Sequence, residues 1–196
     1  MSTAVQISPL ETPALLVREV RKEDLRDFAA YMLRADYQQH LASRYNSMSE
    51  VQGFVARCLR RQSLPNRRGY YLAAELKATR HVIGDGFVVI HGGKTAEIGW
   101  GLHPDLWGRG FATELAKALL CVGFEKLGCQ KIWAKAFSEN HGSLRVMEKL
   151  GMTHDQLVRD QRVAPGLRVD VSYWAVAAEG YFDATYAIGE PSKSEN

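Results

Sequence analysis

The sequence has few cysteines and no long hydrophobic run. Nowhere in its 196 residues do about 18 apolar residues follow one another, the length that a membrane-spanning helix needs. Its opening also lacks the basic start and apolar stretch of a secretion signal. The three cysteines, Cys58, Cys121 and Cys129, form no CxxC pair and lie near no paired histidines, which argues against a disulfide framework and against a zinc site. The sequence therefore predicts a cytoplasmic protein without a metal or a membrane partner.

A large excess of charge of either sign is also absent. Lysine and arginine number 25 against 22 aspartates and glutamates, a net charge of +3, which is far from the dense basic surface of a nucleic-acid-binding protein. The hydrophobic fraction of 46% and the charged fraction of 24% are those of an ordinary globular protein. We expect one domain over residues 14–182, with flexible segments at 1–13 and 183–196. One local arginine cluster keeps nucleic-acid binding open as the least favoured alternative: Arg57, Arg60, Arg61, Arg67 and Arg68.

The spacing of apolar residues predicts helices and strands of a mixed α/β domain. Helices are expected after Asp24, after Ser49 with Gln52 completing a capping box, from Gly108 onward, and between Asn140 and Gly151. Strands are expected over residues 15–20, 70–76, 82–90, 95–103, 131–137, 152–160 and 168–176, the last two joined by a Pro165–Gly166 turn. Because a long helix separates strands 95–103 and 131–137, these two can lie parallel through a right-handed crossover.

The most informative segment is the glycine-rich turn that leads into the helix from Gly108. Gly108, Gly110 and Ala112 place small side chains where the first backbone N–H groups of the helix have no intrahelical partner. Such amides, with the positive end of the helix dipole, can bind a phosphate, and Arg109 adds a charge. The alternative is a tight turn whose glycines only satisfy dihedral angles. No GxxxxGK[ST] motif and no complete GxGxxG motif is present, which excludes a P-loop and disfavours a Rossmann site.

Two longer segments carry a resemblance to a known family. EIGWGLHPDLWGRGFATELAKALL followed by KIWAKAFSENHGSLRVMEKLGM is similar to the acetyl-CoA-binding half of the GNAT acetyltransferases, most closely the RimJ/RimL-like branch of protein N-acetyltransferases. The resemblance extends over about Leu15 to Tyr181. It implies the GNAT fold, a mixed, mostly antiparallel sheet of about seven strands with splayed fourth and fifth strands and flanking helices. It also implies that acetyl-CoA is the co-substrate.

The resemblance further implies which residues bind acetyl-CoA. Gly110 and Ala112 match the loop that holds the CoA diphosphate, whereas Trp107 stands where most members have glutamine or arginine, so binding should depend on backbone amides more than on that side chain. The splayed strand should pair with the pantetheine arm, and an Asn-x-x-Ser motif should lie near the arm and the sulfur. The predicted binding residues are Trp100, Gly101, Leu102, His103, Trp107, Gly108, Arg109, Gly110, Phe111, Ala112, Thr113, Asn140 and Ser143.

For the chemistry, the resemblance implies direct attack of an amine on the thioester, with no acyl-enzyme. Glu97 is the candidate general base, the alternative being a solvent-facing carboxylate without a role; Asp160 is a weaker candidate. Ser143 is the candidate acid, although a serine in the first turn of a helix more often satisfies backbone groups. Many family members carry a tyrosine four residues after this serine, but here that position is Met147.

The acceptor is the least constrained part of the prediction. We expect the α-amine of a protein N terminus, which Arg44 and Tyr45 would contact from the segment between the early helices. A small amine, such as an antibiotic, a polyamine or an amino acid, is the alternative within the same chemistry. A non-catalytic sensor that binds acyl-CoA is the alternative from another class. The sequence does not decide the oligomeric state, and a homodimer is carried as an open expectation.

Overall fold

A computed structural model describes residues 5–186 of the chain. These residues contain six α-helices and eight β-strands. The strands are β1 (Leu10–Glu11), β2 (Leu15–Glu19), β3 (Gly69–Leu76), β4 (Val82–Ile90), β5 (Thr95–Leu102), β6 (Lys131–Phe137), β7 (Thr153–Ala164) and β8 (Leu167–Ala177). The helices are α1 (Leu25–Met32), α2 (Ala35–Gln38), α3 (Met48–Gln62), α4 (Phe111–Cys121), α5 (His141–Lys149) and α6 (Ala178–Tyr186).

The strands form one mixed sheet in the order β1-β2-β3-β4-β5-β6-β8-β7. Every neighbouring pair is antiparallel except β5 and β6, which are parallel and connected through α4. The predicted fold class and the predicted crossover are confirmed. The sheet has one strand more than expected, because residues 10–11 pair with residues 16–17 of β2 as a short edge strand.

The parallel pair separates after three residues. β5 and β6 pair only from Thr95 opposite Lys131 to Glu97 opposite Trp133, although β5 continues to Leu102 and β6 to Phe137. The predicted splay is therefore confirmed. We call the gap between residues 98–102 of β5 and residues 134–137 of β6 the fork.

Helices cover both faces of the sheet. On one face, α4 buries Leu115 and Leu119 against strand residues such as Ile98 and Ile132. On the other face, α1 and α3 bury a second cluster, which includes Phe28, Tyr31, Val51, Val55 and Cys58. Alternate residues of a strand point to opposite faces, so Glu97, Gly99 and Gly101 face α1 and α3. We call this side of β4 and β5 the acceptor face.

One predicted helix start is wrong by two residues. Helix α3 begins at Met48 and is capped by Ser47, whose hydroxyl accepts the N–H of Glu50 at 3.3 Å. The carboxylate of Glu50 accepts the N–H of Asn46 at 2.6 Å. Ser47 is favoured over Ser49 because the Glu50 carboxylate in the first turn bonds to the residue before the cap and also interacts with the helix dipole. The predicted cap at Asn140 and the left-handed Gly151 at the end of α5 are both confirmed.

Both ends of the described chain pack against the domain. Within the segment 1–13, Ile7 is buried and its N–H donates to Glu19 Oε1 at 3.1 Å, so part of this segment contacts the domain. Helix α6 crosses the expected boundary at residue 182. The remaining residues of the expected flexible segments, 1–4 and 187–196, lie outside the described residues. Within residues 5–186, no helix is both long enough and apolar enough to cross a membrane.

Candidate functional site

The loop before α4 exposes a group of backbone amides. Gly108 and Gly110 have φ angles of 77° and 86°, a left-handed conformation that favours glycine, and open space surrounds both Cα atoms. The first hydrogen bond into the helix joins the Glu114 N–H to the Gly110 carbonyl at 3.1 Å. The N–H groups of residues 111–113 therefore have no intrahelical acceptor. The sequence left two interpretations of these glycines, a phosphate-binding loop and a tight turn. Both apply, because the dihedral angles that require glycine also leave the amides open to an anion.

Trp107 braces this loop against β5. Its indole Nε1–H donates to the carbonyl of Leu102 at 2.9 Å, while the side chain as a whole stays 45% exposed. The indole N–H is thus engaged within the protein. This geometry agrees with the expectation that backbone amides, rather than this side chain, contact a diphosphate.

The edge of β5 inside the fork carries free backbone groups. The N–H of His103 donates to the carbonyl of Ile83 on β4 at 2.8 Å. Because backbone groups alternate between the two edges of a strand, the N–H groups of Leu102 and Trp100, beyond the last pair with β6, point into the fork. An unpaired strand edge can accept an extended chain as an added strand. The fork is therefore suited to an extended arm that carries amides.

Glu97 lies where the two strands separate. Its carboxylate is 3.2 Å from Lys135 Nζ and 3.8 Å from His91 Nε2, and its side chain is 16% exposed. Glu97 is therefore mostly shielded from solvent, and the alternative of a carboxylate without a catalytic role stays open. The carboxylate belongs to the acceptor face, beside the start of the fork. Its assignment as a base stays a prediction. Asp160, the weaker candidate, lies in the exposed β7 and pairs with Arg168, away from the fork.

Asn140 and Ser143 lie beyond the end of β6, on the other side of the fork. The Asn140 side-chain oxygen accepts the N–H of Ser143 at 3.1 Å, so its amide nitrogen is the part left for a ligand. The Ser143 hydroxyl has no hydrogen bond to a described residue and stays available as an acid. Met147 is 1% exposed and fills the core. Met147 cannot donate a proton, so the acid must be a different group.

The two predicted acceptor residues differ in their surroundings. Tyr45 packs edge-on against Phe54 with ring centroids 6.0 Å apart, and its carbonyl accepts the side-chain N–H of Gln38 at 2.6 Å. Burial raises the pKa of Tyr45 to about 12, so the phenol stays protonated at neutral pH. Arg44 is exposed. The structure therefore brings Tyr45, but not Arg44, to the inner surface of this segment.

Sequence reasoning missed a carboxylate on the acceptor face. Asp85 on β4 lies opposite Gly101, and its Oδ1 accepts hydrogen bonds from the hydroxyls of Tyr31 and Tyr37, each at 2.9 Å. Burial raises the pKa of Asp85, and the two tyrosine hydrogen bonds oppose that rise. A Cβ atom on Gly101 would collide with the Tyr37 hydroxyl, so this site requires glycine. An aspartate inside an otherwise apolar strand was the available signal.

The cysteines are poorly suited to nucleophilic chemistry. Burial raises the pKa of Cys58 to about 12 and that of Cys121 to about 11. Since the thiolate is the reactive form, these thiols are almost fully protonated at neutral pH. The described part of the chain contains no cluster of three or more metal-ligating side chains.

Several known proteins are similar to this chain in sequence or in fold. A family profile for an acetyltransferase (GNAT) domain matches residues 14–153. The uncharacterized N-acetyltransferase YoaA of Bacillus subtilis is 27% identical over 174 residues, which cover 85% of this chain and 95% of YoaA. A GNAT-family acetyltransferase from Bacillus anthracis has a TM-score of 0.77 at 24% identity, covering 88% of this chain and 99% of that one. Ribosomal-protein-S5-alanine acetyltransferase from Vibrio fischeri has a TM-score of 0.78 at 16% identity, covering 89% and 99%.

Proposed function

The chain belongs to the GNAT acetyltransferase family, and from that premise we propose that it moves an acetyl group from acetyl-CoA to the α-amine of a protein N terminus. The main support is one arrangement: the loop with free amides leads directly into the fork, whose free edge adjoins the carboxylates of the acceptor face. The acceptor class rests on the resemblance of the sequence to the RimJ/RimL-like branch. One structural neighbour is named as an acetyltransferase for an alanine of ribosomal protein S5, although at 16% identity it supports the fold alone.

The residues at the loop and fork fit acetyl-CoA. The amides of residues 109–113 offer donors for a diphosphate, and Arg109 offers a positive charge in the same exposed loop. The backbone of residues 100–103 offers an edge for the pantetheine amides, and Asn140 offers a side-chain N–H across the fork. Arg34 bonds both Asp36 on α2, at 2.7 Å, and Asp105 in this loop, at 2.9 Å. The ion pair with Asp105 connects the start of α2 with the segment before α4.

The proposed reaction needs one base, one oxyanion donor and one acid. The neutral amine attacks the acetyl carbon, and Glu97 takes the proton that the nitrogen loses as the carbon–nitrogen bond forms. A backbone N–H of the fork edge stabilises the oxyanion. The oxyanion then re-forms the carbonyl as the carbon–sulfur bond breaks, and the leaving thiolate takes up a proton from water or from Ser143, which regains one from water, while Glu97 returns its proton to solvent. An α-amine has a pKa of about 7.7–8.0, so a carboxylate is a sufficient base.

A panel of acceptors tests this proposal. We expect N-terminal peptides to accelerate the release of free thiol from acetyl-CoA, because their α-amines are partly neutral near pH 7.5. Small amines such as spermidine and free amino acids provide the comparison. If small amines react and peptides do not, the acceptor is a small amine and not a protein N terminus. Binding of acetyl-CoA without turnover of any amine would favour the sensor.

A glycine substitution tests the amide loop. Gly110→Ala is expected to weaken CoA binding by about 5- to 30-fold, because a left-handed conformation costs alanine about 1–2 kcal/mol and the loop will relax away from it. Gly128→Ala is the matched control, since Gly128 also has a positive φ, 65°, and open space around it, but lies just before β6. Calorimetric titration with CoA should detect a change only for Gly110→Ala. Equal affinities would contradict the assignment of the loop.

A further inference from the structure

A cavity outside the predicted catalytic residues opens between α3 and β3. Its volume is about 250 Å³, and its lining combines aromatic rings, one buried thiol and two guanidinium groups: Tyr45, Phe54, Arg57, Cys58, Arg61 and Tyr71. The aromatic rings contact one another edge-on, with Phe54 6.0 Å from Tyr45 and 6.5 Å from Tyr71. The rings give the cavity an apolar wall, and the arginines give it positive charge.

The two arginines of the cavity have no acidic partner among the described residues. Arg57 and Arg61 are one helical turn apart, so they share a face of α3. Arg61 lies over the ring of Tyr71, with its Cζ 5.0 Å from the ring centroid, and donates to the Tyr71 hydroxyl. This contact holds the guanidinium at the cavity while leaving donors for a ligand. Arg60 does not line the cavity.

The arginine cluster seen in the sequence is thus not one surface. Arg67 is buried, paired with Glu19 and stacked over Tyr70, with its Cζ 4.4 Å from the ring centroid. Its charge is satisfied inside the domain. Only Arg57 and Arg61 present positive charge to the cavity.

A run of aromatic contacts connects this cavity with the acceptor face. The Tyr71 ring lies 6.1 Å from the ring of Phe87. Phe87 in turn lies directly against Gly99, where a Cβ atom would collide with its ring. Gly99 is two residues from Glu97 on the same side of the strand. A ligand lying along Phe87 and Tyr71 would therefore reach from the predicted base to Arg61.

The charges around this path are opposite at its two ends. Among the described residues, Asp85 and Glu97 are the two carboxylates on the acceptor face, with Lys135 Nζ as the one lysine beside Glu97. Arg57 and Arg61, in contrast, lie at the cavity, whose described lining has no carboxylate. Tyr45 and Cys58 are neutral at ordinary pH, because burial raises the pKa of each to about 12. An amine favours the first end of the path, and an anion favours the second.

We propose that the acceptor carries an anionic group, a carboxylate or a phosphate, which binds Arg57 and Arg61 while its amine lies at the acceptor face. This proposal rests on the acetyltransferase function above and narrows its acceptor. The anion belongs either to a small amine or to an acidic side chain close to a peptide N terminus. Both sources share the same chemistry, a primary amine and an anion in one molecule.

Matched acceptors test the proposal. The small-molecule pair is 4-(aminomethyl)benzoate and 4-(aminomethyl)benzamide, and the peptide pair differs only in glutamate or glutamine after an N-terminal alanine. A charge-assisted hydrogen bond to arginine predicts a kcat/KM about 10- to 100-fold higher for the anionic member of at least one pair. The double variant Arg57→Gln/Arg61→Gln should abolish that preference. Arg60→Gln should keep it, because Arg60 has the same charge on the same helix but lies outside the cavity.

Direct binding separates this proposal from the function on which it rests. Calorimetry should show that 4-(aminomethyl)benzoate binds the wild type and Arg60→Gln more tightly than the double variant, while CoA binds all three equally. Unchanged CoA binding also shows that the double variant is folded. If anionic and neutral acceptors react equally, or if the double variant keeps the preference, the proposal is wrong although the acetyltransferase function stands. If no amine releases thiol, the function fails, and the binding comparison still decides whether the arginines hold an anion.

Discussion

Replacing Glu97 by glutamine is expected to lower kcat by about 10²- to 10⁴-fold, the contribution of a positioned general base. The substitution keeps the size of the side chain and removes its ability to take a proton. The affinity for CoA should not change, because Glu97 lies on the acceptor face and not on the loop before α4. Single-turnover rates of thiol release, together with a CoA titration, measure the two effects separately.

The ion pair of Glu97 requires its own control. Lys135 Nζ lies 3.2 Å from the carboxylate, so a purely structural role of Glu97 would be lost equally when the lysine is removed. We expect Lys135→Met to retain most of the activity, because an ion pair with a half-exposed lysine contributes little to stability. Equal losses in Lys135→Met and Glu97→Gln would show that the pair, and not the base, matters. In that case Arg57 and Arg61 could still bind the anionic group of the acceptor, but another carboxylate, Asp85, would be the next candidate for the base.

Replacing Arg18 by methionine is expected to lower the free energy of unfolding by about 3–5 kcal/mol, the typical effect of breaking a buried ion pair. The Arg18 guanidinium donates to Asp24 through two bonds of 2.8 Å and to Glu75 through one of 2.9 Å. All three side chains are at most 5% exposed. Their bonds connect β2, the start of α1 and β3. Loss of the arginine leaves the buried Asp24 carboxylate without its cation, while Glu75 keeps only Arg80, whose Nε lies 2.8 Å from its Oε1.

Urea unfolding measures this effect, with two comparisons. Arg168→Met removes an ion pair with Asp160 in which both side chains are more than half exposed, and it should change stability far less. The triple variant Arg18→Met/Asp24→Asn/Glu75→Gln removes the stranded charges together with the arginine and should recover part of the loss. A single Arg18→Met variant as stable as Arg168→Met would contradict the assigned role of the network.

Local sequence signals were sufficient for most of the elements. The apolar spacing in α3 and α4, the alternation in β4 and β5, and the Asn140 cap of α5 all depend on residues within about one or two turns, so they can be read along the chain. The position of the α3 cap was missed by two residues, because Ser47 and Ser49 both satisfy the short-range pattern. Helix α2 was also missed, since four residues are too few to show a period.

The arrangement of the acceptor face could not be predicted in the same way. Asp85 receives its hydrogen bonds from tyrosines 48 and 54 residues earlier in the chain, and nothing near Asp85 in the sequence indicates them. The arginine cluster is the opposite case, in which residues that are close in sequence are separated in the fold. Arg57, Arg61 and Arg67 are close in sequence, but the chain leaves α3 and enters β3 between them, which buries Arg67 and leaves the other two at a cavity.

By itself, the order of residues determined the helix with free amides at its start, the crossover to β6 and, through its motifs, the family. Each of these depends on neighbours in the chain, where dihedral preferences and side-chain periodicity act. Only the tertiary structure decided that Glu97 is mostly shielded from solvent beside the fork, that Asp85 is held by two tyrosines, and that two arginines face a cavity joined to the same surface. Those facts come from packing between distant segments, because burial and charge compensation depend on what the folded chain brings together.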